Sequence, residues 1–460
     1  MLRTWQLECI KQALSKYFSG RSHFLCQATP GAGKTIMAAQ LTKELFDMGE
    51  IDFVLCFSPS LSVAEGIKST FSKVLECTFN GEIGSIGVSN TYQSLKYIDK
   101  SFWVTMQKYR VFVVFDEIHH CSGDNFENAN VWGEQILAIQ SLAKYTLALS
   151  GTPWRSDLVP IAMSEYTDPE GQLICDYQYG LQEAIDDGVC RRPRIVLVDN
   201  EHLTISSESE TQSFSSILEL LEESDTSYLS VIQNREAITY LLSLACRQLN
   251  ELRIQDPTAG GLVVASSVNH EKIIQTILTN EFDQTSVLVT YYQESALADI
   301  DDFRNSAVGW IISVGMISEG TDIPRLQVCC HLSAIKTELH FRQVLGRILR
   351  VTPANAQKAW LYTFAERNLI GFSERVEQNI PDVCIFAKMG EIPYVTVGDS
   401  NHLENQFELT LLNKKLDGAG SLSWLKAVKL KPQESVTGNI VSQQELRLGQ
   451  FKERILAAFG

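Results

Sequence analysis

Ala28-Thr29-Pro30-Gly31-Ala32-Gly33-Lys34-Thr35 follows the apolar run Phe24–Cys26 and opens Ile36–Gly49, whose apolar residues recur at helical spacing until a glycine stops them. A strand that turns through glycines into a helix gathers backbone N–H groups and the helix N-terminus around one small concavity, a setting suited to phosphate oxygens. Lys34 is then placed to reach the β and γ phosphates of a nucleotide, and Thr35 to offer a hydroxyl to Mg2+. Thr29, Gly31, Ala32 and Gly33 supply the cradle. Ala28 departs from the usual pattern, in which a glycine opens the turn, but its methyl is small.

Downstream, Val111–Phe115 is a continuous apolar run that reads as a buried strand, and it ends in Asp116-Glu117-Ile118-His119. Adjacent residues on a strand point to opposite sides. Asp116 can therefore complete the Mg2+ shell opposite Thr35, while Glu117 orients or deprotonates an attacking water. Glycine-rich turn and acidic pair, in this order on strands of one sheet, predict a site for ATP and Mg2+.

The same rhythm extends in both directions. Phe24–Gln27, Phe53–Phe57, Val111–Phe115 and Leu147–Leu149 are short β-rich bursts separated by helix-like segments. It restarts after Arg191-Arg192-Pro193-Arg194 with Ile195–Val198, Leu262–Ala265, Val287–Thr290, Trp310–Val314 and Gln327–Leu332. Apolar strands alternating with helices imply an α/β fold of two tandem parallel-sheet domains. The boundaries expected are 1–190 and 191–380, with 381–460 as a small C-terminal appendage of unassigned role. In that tail, Lys414, Lys415, Lys426, Lys429 and Lys431 interleave with Trp424, which suits either phosphate contact and stacking or an ordinary amphipathic segment.

Composition bounds the partners. The 460 residues carry 39 Lys+Arg against 55 Asp+Glu, a net charge of −16. That balance disfavours a protein that coats nucleic acid by bulk charge, so any such contact is local. Much of the excess lies in Ile195–Asn234, with eight acids, and Ile273–Phe303, with six, neither holding Lys or Arg; both read as solvated faces. Eleven cysteines without a C-x-x-C pair read as reduced thiols rather than a zinc site or a disulfide framework. The opening MLRTWQLECIKQAL has no uninterrupted apolar segment, and no run is long enough to span a bilayer. A cytoplasmic protein with no structural metal and no membrane partner is expected.

Taken together, these residues resemble the superfamily-two helicases of the DExH type, in particular the motor subunits of type I and type III restriction enzymes. The resemblance spans about residues 1–370. Arg3-Thr4-Trp5-Gln6 is similar to the family's adenine-reading element, with Gln6 facing the base and Arg3 beside it. Ser58-Pro59-Ser60 and Thr91-Tyr92-Gln93-Ser94-Leu95 sit where first-domain nucleic-acid contacts lie. Ser150-Gly151-Thr152-Pro153 resembles motif III, and Ser266-Ser267 the phosphate-contacting turn of the second domain. Ser318-Glu319-Gly320-Thr321-Asp322-Ile323-Pro324 resembles motif V, which implies nucleotide contacts for Gly320 and Asp322. Gln343-Val344-Leu345-Gly346-Arg347-Ile348-Leu349-Arg350 resembles motif VI. Arg347 and Arg350, three residues apart, share a helix face and can meet charge developing on the γ-phosphate, with Gln343 a further turn back.

The resemblance implies two RecA-like domains that hydrolyse ATP between them and move along or unwind nucleic acid, with DNA favoured over RNA as the track. Arg191, Arg192 and Arg194 either add to a nucleic-acid groove or are solvated linker charges. The chain shows no nuclease constellation, methyltransferase or target-recognition region. A motor acting alone, or within a multi-subunit complex for bacterial defence or DNA repair, fits this architecture; a nucleotide-gated clamp without processive movement is the alternative.

Overall fold

The computed structural model describes residues 2–121, 131–151, 160–167, 173–206, 211–290, 295–315, 323–352, 358–377 and 445–457. The chain divides into two compact units, Met1–Phe386 with Gln444–Gly460, and Ala387–Gln443; every described residue belongs to the first. Within it stand two lobes, each built on its own sheet.

The first lobe contains β1 (His23–Ala28), β2 (Phe53–Ser58), β3 (Gly87–Thr91), β4 (Val111–Phe115) and β5 (Tyr145–Ser150). After the two-residue strands β6 (Glu165–Tyr166) and β7 (Leu173–Ile174), which pair with each other, comes β8 (Tyr177–Tyr179). The sheet runs β3-β2-β4-β5-β1-β8 with every pairing parallel. All residues of β4 and β5 are buried, as strands covered by helices on both faces must be.

The second lobe contains β9 (Arg192–Asn200), β10 (Leu203–Ser206), β11 (Thr211–Phe214), β12 (Gly260–Ala265), β13 (Ser286–Thr290), β14 (Trp310–Val314), β15 (Leu326–Leu332), β16 (Lys358–Phe364), β17 (Glu445–Leu448) and β18 (Phe451–Ala457). Its main sheet runs β13-β14-β12-β15-β16-β9-β18, parallel except for the last strand. Gly261 on β12 faces Trp310 on β14, and a Cβ there would stand 2.3 Å from the indole. Glycine is what lets this fully buried ring lie across the neighbouring strand. Helix Arg235–Gln255, capped by the Asn234 side chain on the Ala237 N–H, turns a stripe including Ala237, Ile238, Leu241, Leu242, Ala245 and Leu249 onto β15 and β16.

Two features differ from the sequence expectation. The sequence pattern does not announce β3, β8 or β16, and β3 reads Gly-Val-Ser-Asn-Thr, an edge strand too polar to register as one. The expected appendage also gives its last strands to the second lobe. β17 pairs antiparallel with β10, and β18 with β9. Asn200, fully buried, accepts hydrogen bonds from the His202 and Gly449 N–H groups at 3.0 and 3.2 Å, fastening the two turns together. Without β18, the edge of β9 would present a row of unpaired backbone groups. No helix among the described residues is long and apolar enough to cross a membrane.

Candidate active site

The glycine-rich turn joins β1 to the helix Lys34–Asp47. Gly31 and Gly33 have φ of +84° and +94°, the left-handed region that side chains resist. At Gly33 a Cβ would also stand 2.9 Å from Gln6 Nε2. The helix Thr4–Phe18 braces the turn from behind. Arg3 Nη1 donates to the Ala32 carbonyl at 2.5 Å and Gln6 Nε2 to the Gly33 carbonyl at 2.9 Å, while Gln6 Oε1 accepts from Arg3 N at 2.8 Å. The Gln6 side chain is buried and its amide engaged on the turn itself. Arg3 lines the cleft, whereas Gln6, Thr29 and Ala32 stand behind the lining.

Lys34 is buried, its Nζ donating to the Ala28 carbonyl at 3.1 Å and lying 3.6 Å from Glu117 Oε1. Gly151, after β5, serves both groups. Its N–H donates to Glu117 Oε2 at 3.2 Å, and a Cβ on it would stand 2.8 Å from Lys34 Nζ. His119 Nδ1 lies 3.0 Å from Ser150 Oγ and 3.4 Å from Glu117 Oε2. Glu117 itself has φ +52°, a conformation costly for a side-chain-bearing residue and held only where its surroundings dictate it. Asp116 is buried with its peptide fixed on both sides: its N–H donates to the Phe57 carbonyl at 2.8 Å, and its carbonyl accepts from the Tyr92 hydroxyl at 2.7 Å. Asp116 Oδ1 has no hydrogen-bond partner among the described residues.

The two acids are driven apart electrically. Burial, then the Glu117 charge, pushes the Asp116 carboxyl up. Burial would raise Glu117 too, but the Lys34 ammonium and His119 outweigh it and hold that carboxyl below its usual range. A buried carboxylate oxygen without a partner among the described residues, on a cleft that Thr35 also lines, suits a hard oxygen-seeking cation such as Mg2+.

The second lobe faces this array with helix Glu338–Ile348 and the residues after it. Arg342 is tied to Glu338 at 2.9 Å, a carboxylate shared with Arg375, whereas Gln343, Arg347 and Arg350 line the cleft. Arg350 lies over Gly31, where a Cβ would come 3.2 Å from its Cγ. The shared cleft, about 730 Å³, is walled by Lys34, Thr35, Asp116 and Glu117 on one side and these three residues on the other.

The segment just before β9, linking the lobes, supplies what the sequence pattern does not show. Cys190 Sγ lies 3.7 Å from the Pro30 carbonyl, and its backbone bridges to Arg350. Arg191 is neither a solvated linker charge nor a groove residue. It is fully buried, donating to the carbonyls of Pro324, Leu326 and Ile348 at 3.2, 3.0 and 3.2 Å and to Thr352 Oγ1 at 3.2 Å. Burial lowers its pKa to about 10, so it stays charged at neutral pH. Nothing in the local run Arg-Arg-Pro-Arg distinguishes it from its neighbours. Of the remaining expectations, Ser58 and Tyr92 are fully buried, and Ser266 and Ser267 are engaged with His270. Thr152, Pro153, Gly320 and Asp322 lie outside the described residues, while Pro324 lines the cleft.

The two sheets, with a glycine-rich turn and acidic pair on one and arginines from the other, make an α/β RecA-like fold. The chain has that α/β RecA-like fold and is similar to the motor subunits of restriction enzymes. Residues 1–155 match the family model described as the type III restriction enzyme, res subunit. An uncharacterized protein of Mycobacterium leprae is 30% identical over 368 residues, 76% of this chain and 59% of its own length. One from Mycobacterium tuberculosis is 30% identical over 365 residues with the same coverage. The chain thus spans about 59% of the length of the curated relatives it matches.

Solved structures share the fold. A fragment described as an HsdR subunit of a type I restriction enzyme from Vibrio vulnificus YJ016 superposes with TM-score 0.55 at 16% identity, over 81% of this chain and 66% of that one. The ATP-dependent type ISP restriction-modification enzyme LlaBIII bound to DNA gives 0.53 at 13%, over 80% and 28%. The S. cerevisiae protein Dbp5 bound to RNA and ADP BeF3 gives 0.51 at 12%, over 82% and 88%.

Proposed function

We propose that the chain is a nucleic-acid-dependent ATPase that hydrolyses ATP between its lobes to translocate along, or unwind, DNA. The observation that carries this reading is the cleft itself, where Lys34, Thr35, Asp116 and Glu117 face Gln343, Arg347 and Arg350. The Lys34 ammonium neutralises the β and γ phosphate oxygens. Glu117, kept ionised by Lys34 and His119, accepts a proton from the attacking water or fixes its orientation. Arg347 and Arg350 place guanidinium charge where the departing phosphoryl group becomes most negative, and Gln343 lies on the same wall. Thr35 and Asp116 would hold Mg2+, which when bound neutralises phosphate charge and orients the triphosphate. Because the arginines come from the other lobe, hydrolysis is tied to lobe closure, and product release to opening.

The LlaBIII and Dbp5 structures hold DNA and RNA, which supports a polymer partner for this fold; the similarity to restriction-enzyme motors favours DNA. Contacts through backbone N–H groups, hydroxyls and a few bases can bind phosphates on a chain of net charge −16. A cytoplasmic role in defence or DNA repair, alone or with protein partners, follows from the same reading. The deciding experiment is ATPase rate against single-stranded, duplex and forked DNA and RNA, followed by strand displacement on whichever stimulates. Strong stimulation by DNA is expected; equal rates with and without every polymer would remove the motor reading.

A further inference from the structure

β3, β2 and β4 are neighbours in the first sheet, and their carboxyl ends carry Thr91-Tyr92-Gln93, Ser58-Pro59-Ser60 and Asp116-Glu117 respectively. The first two loops are tied together, Gln93 Nε2 donating to the Pro59 carbonyl at 3.1 Å. Tyr92 is fully buried, with its ring stacked on Trp132 at 5.9 Å between centroids, so its side chain is out of reach of a bound strand. Its hydroxyl instead donates to the Asp116 carbonyl at 2.7 Å. The Asp116 N–H donates to the Phe57 carbonyl at 2.8 Å, so the ends of β2 and β3 grip both sides of one residue in the nucleotide cleft. Burial holds the Tyr92 phenol well above its usual range, and it remains a donor at neutral pH.

We infer that Tyr92 is a positioning residue: its hydrogen bond to the Asp116 carbonyl passes the state of the strand-facing loops to the ATP site. This rests on the nucleic-acid-dependent ATPase reading. A loop shifted by a bound polymer carries the phenol with it, and the Asp116 peptide follows because its other side is anchored.

Tyr92→Phe removes one oxygen and keeps the stacked ring. The test measures the Kd of a fluorescent non-hydrolysable ATP analogue with Mg2+, with and without a saturating single-stranded DNA oligonucleotide. The ratio of the two is the coupling, and by linkage the analogue changes DNA affinity by the same factor. In Tyr92→Phe the ratio is expected to fall about fivefold, the worth of one ordinary hydrogen bond. DNA-stimulated over basal turnover should fall with it. Tyr17→Phe is the control: it deletes an equivalent bond, from the Tyr17 hydroxyl to the Thr146 carbonyl at 2.9 Å, in the same lobe but away from the cleft. Coupling unchanged in Tyr92→Phe, or equally reduced in Tyr17→Phe, overturns the inference while leaving the ATPase reading standing. A wild-type protein without coupling overturns both.

Discussion

Gly346 of the second lobe lies against Pro30 of the first, so closely that a Cβ on Gly346 would stand 2.9 Å from Pro30 Cβ. The glycine sits within a helix, where it costs about 1 kcal/mol relative to alanine, so its use there trades helix stability for close approach of the lobes. Gly346→Ala should therefore leave thermal stability unchanged or raised while turnover falls, because the arginine-bearing helix is held away from the phosphate turn. A displacement of about 1 Å can cost about a hundredfold in rate. Calorimetry and steady-state ATPase on the same preparation separate the two effects.

Within the cleft, charge is matched to task. Glu117→Gln should bind ATP at least as well as the wild type yet hydrolyse it far more slowly, since the amide cannot take a proton from water. Nucleotide affinity and single-turnover rate measure the split, and unchanged turnover would falsify the assigned role.

Arg350 lies over Gly31 and reaches the cleft from the opposite lobe. Arg350→Ala should lower kcat by a factor of about 10³ or more, as expected for an arginine acting on a transferring phosphoryl group. An effect on KM alone would argue for ground-state binding instead.

Arg191, fully buried, donates to the carbonyls of Pro324, Leu326 and Ile348 and to the Thr352 hydroxyl. Arg191→Met should cost about 3 kcal/mol or more in urea unfolding, because three carbonyls lose their donor together. Arg191→Lys, retaining the charge but not the planar fork, should recover part of that. Full stability in the methionine variant would show that water replaces the guanidinium.

His270 and His331 are 2% and 0% exposed. Burial, the main cause in each, lowers them to about 4 and about 3, the nearby His340 adding to His331. Unfolded, both titrate near 6.5. The folded state thus binds fewer protons below that value, so the stability they confer is complete above about pH 6.5 and drains as pH falls towards 4 and 3. At about 1.4 kcal/mol per pKa unit, this amounts to at most about 3 kcal/mol for His270 and about 5 kcal/mol for His331 over the full range. Urea midpoints should decline steeply between pH 6.5 and 4.5, and a flat profile would contradict the burial argument.

Residues whose task is set by their neighbours along the chain are legible from the sequence. β1 followed by Gly31, Gly33 and Lys34, and β4 followed by Asp116 and Glu117, carry their meaning in a few consecutive positions, as does the motif holding Gln343, Arg347 and Arg350. Gln6 is visible as part of a motif, but its burial against Gly33 is not. Tyr92 reads as a surface contact until β2, β3 and β4 are set side by side, and Arg191 is indistinguishable from Arg192 and Arg194 until Pro324, Leu326 and Ile348 surround it.

The order of apolar runs, glycines and charged turns by itself determined that this chain makes two mainly parallel sheets covered by helices, with a glycine-rich turn after one strand and an acidic pair after another, because period, turn chemistry and helix start are local properties. Tertiary structure alone decided that β17 and β18 complete the second lobe, that Gly346 meets Pro30, and that a buried arginine and a buried phenol hold the cleft's backbone. Those relations join residues far apart along the chain, and hydrogen bonds and packing across such distances leave no periodic trace in either partner's sequence.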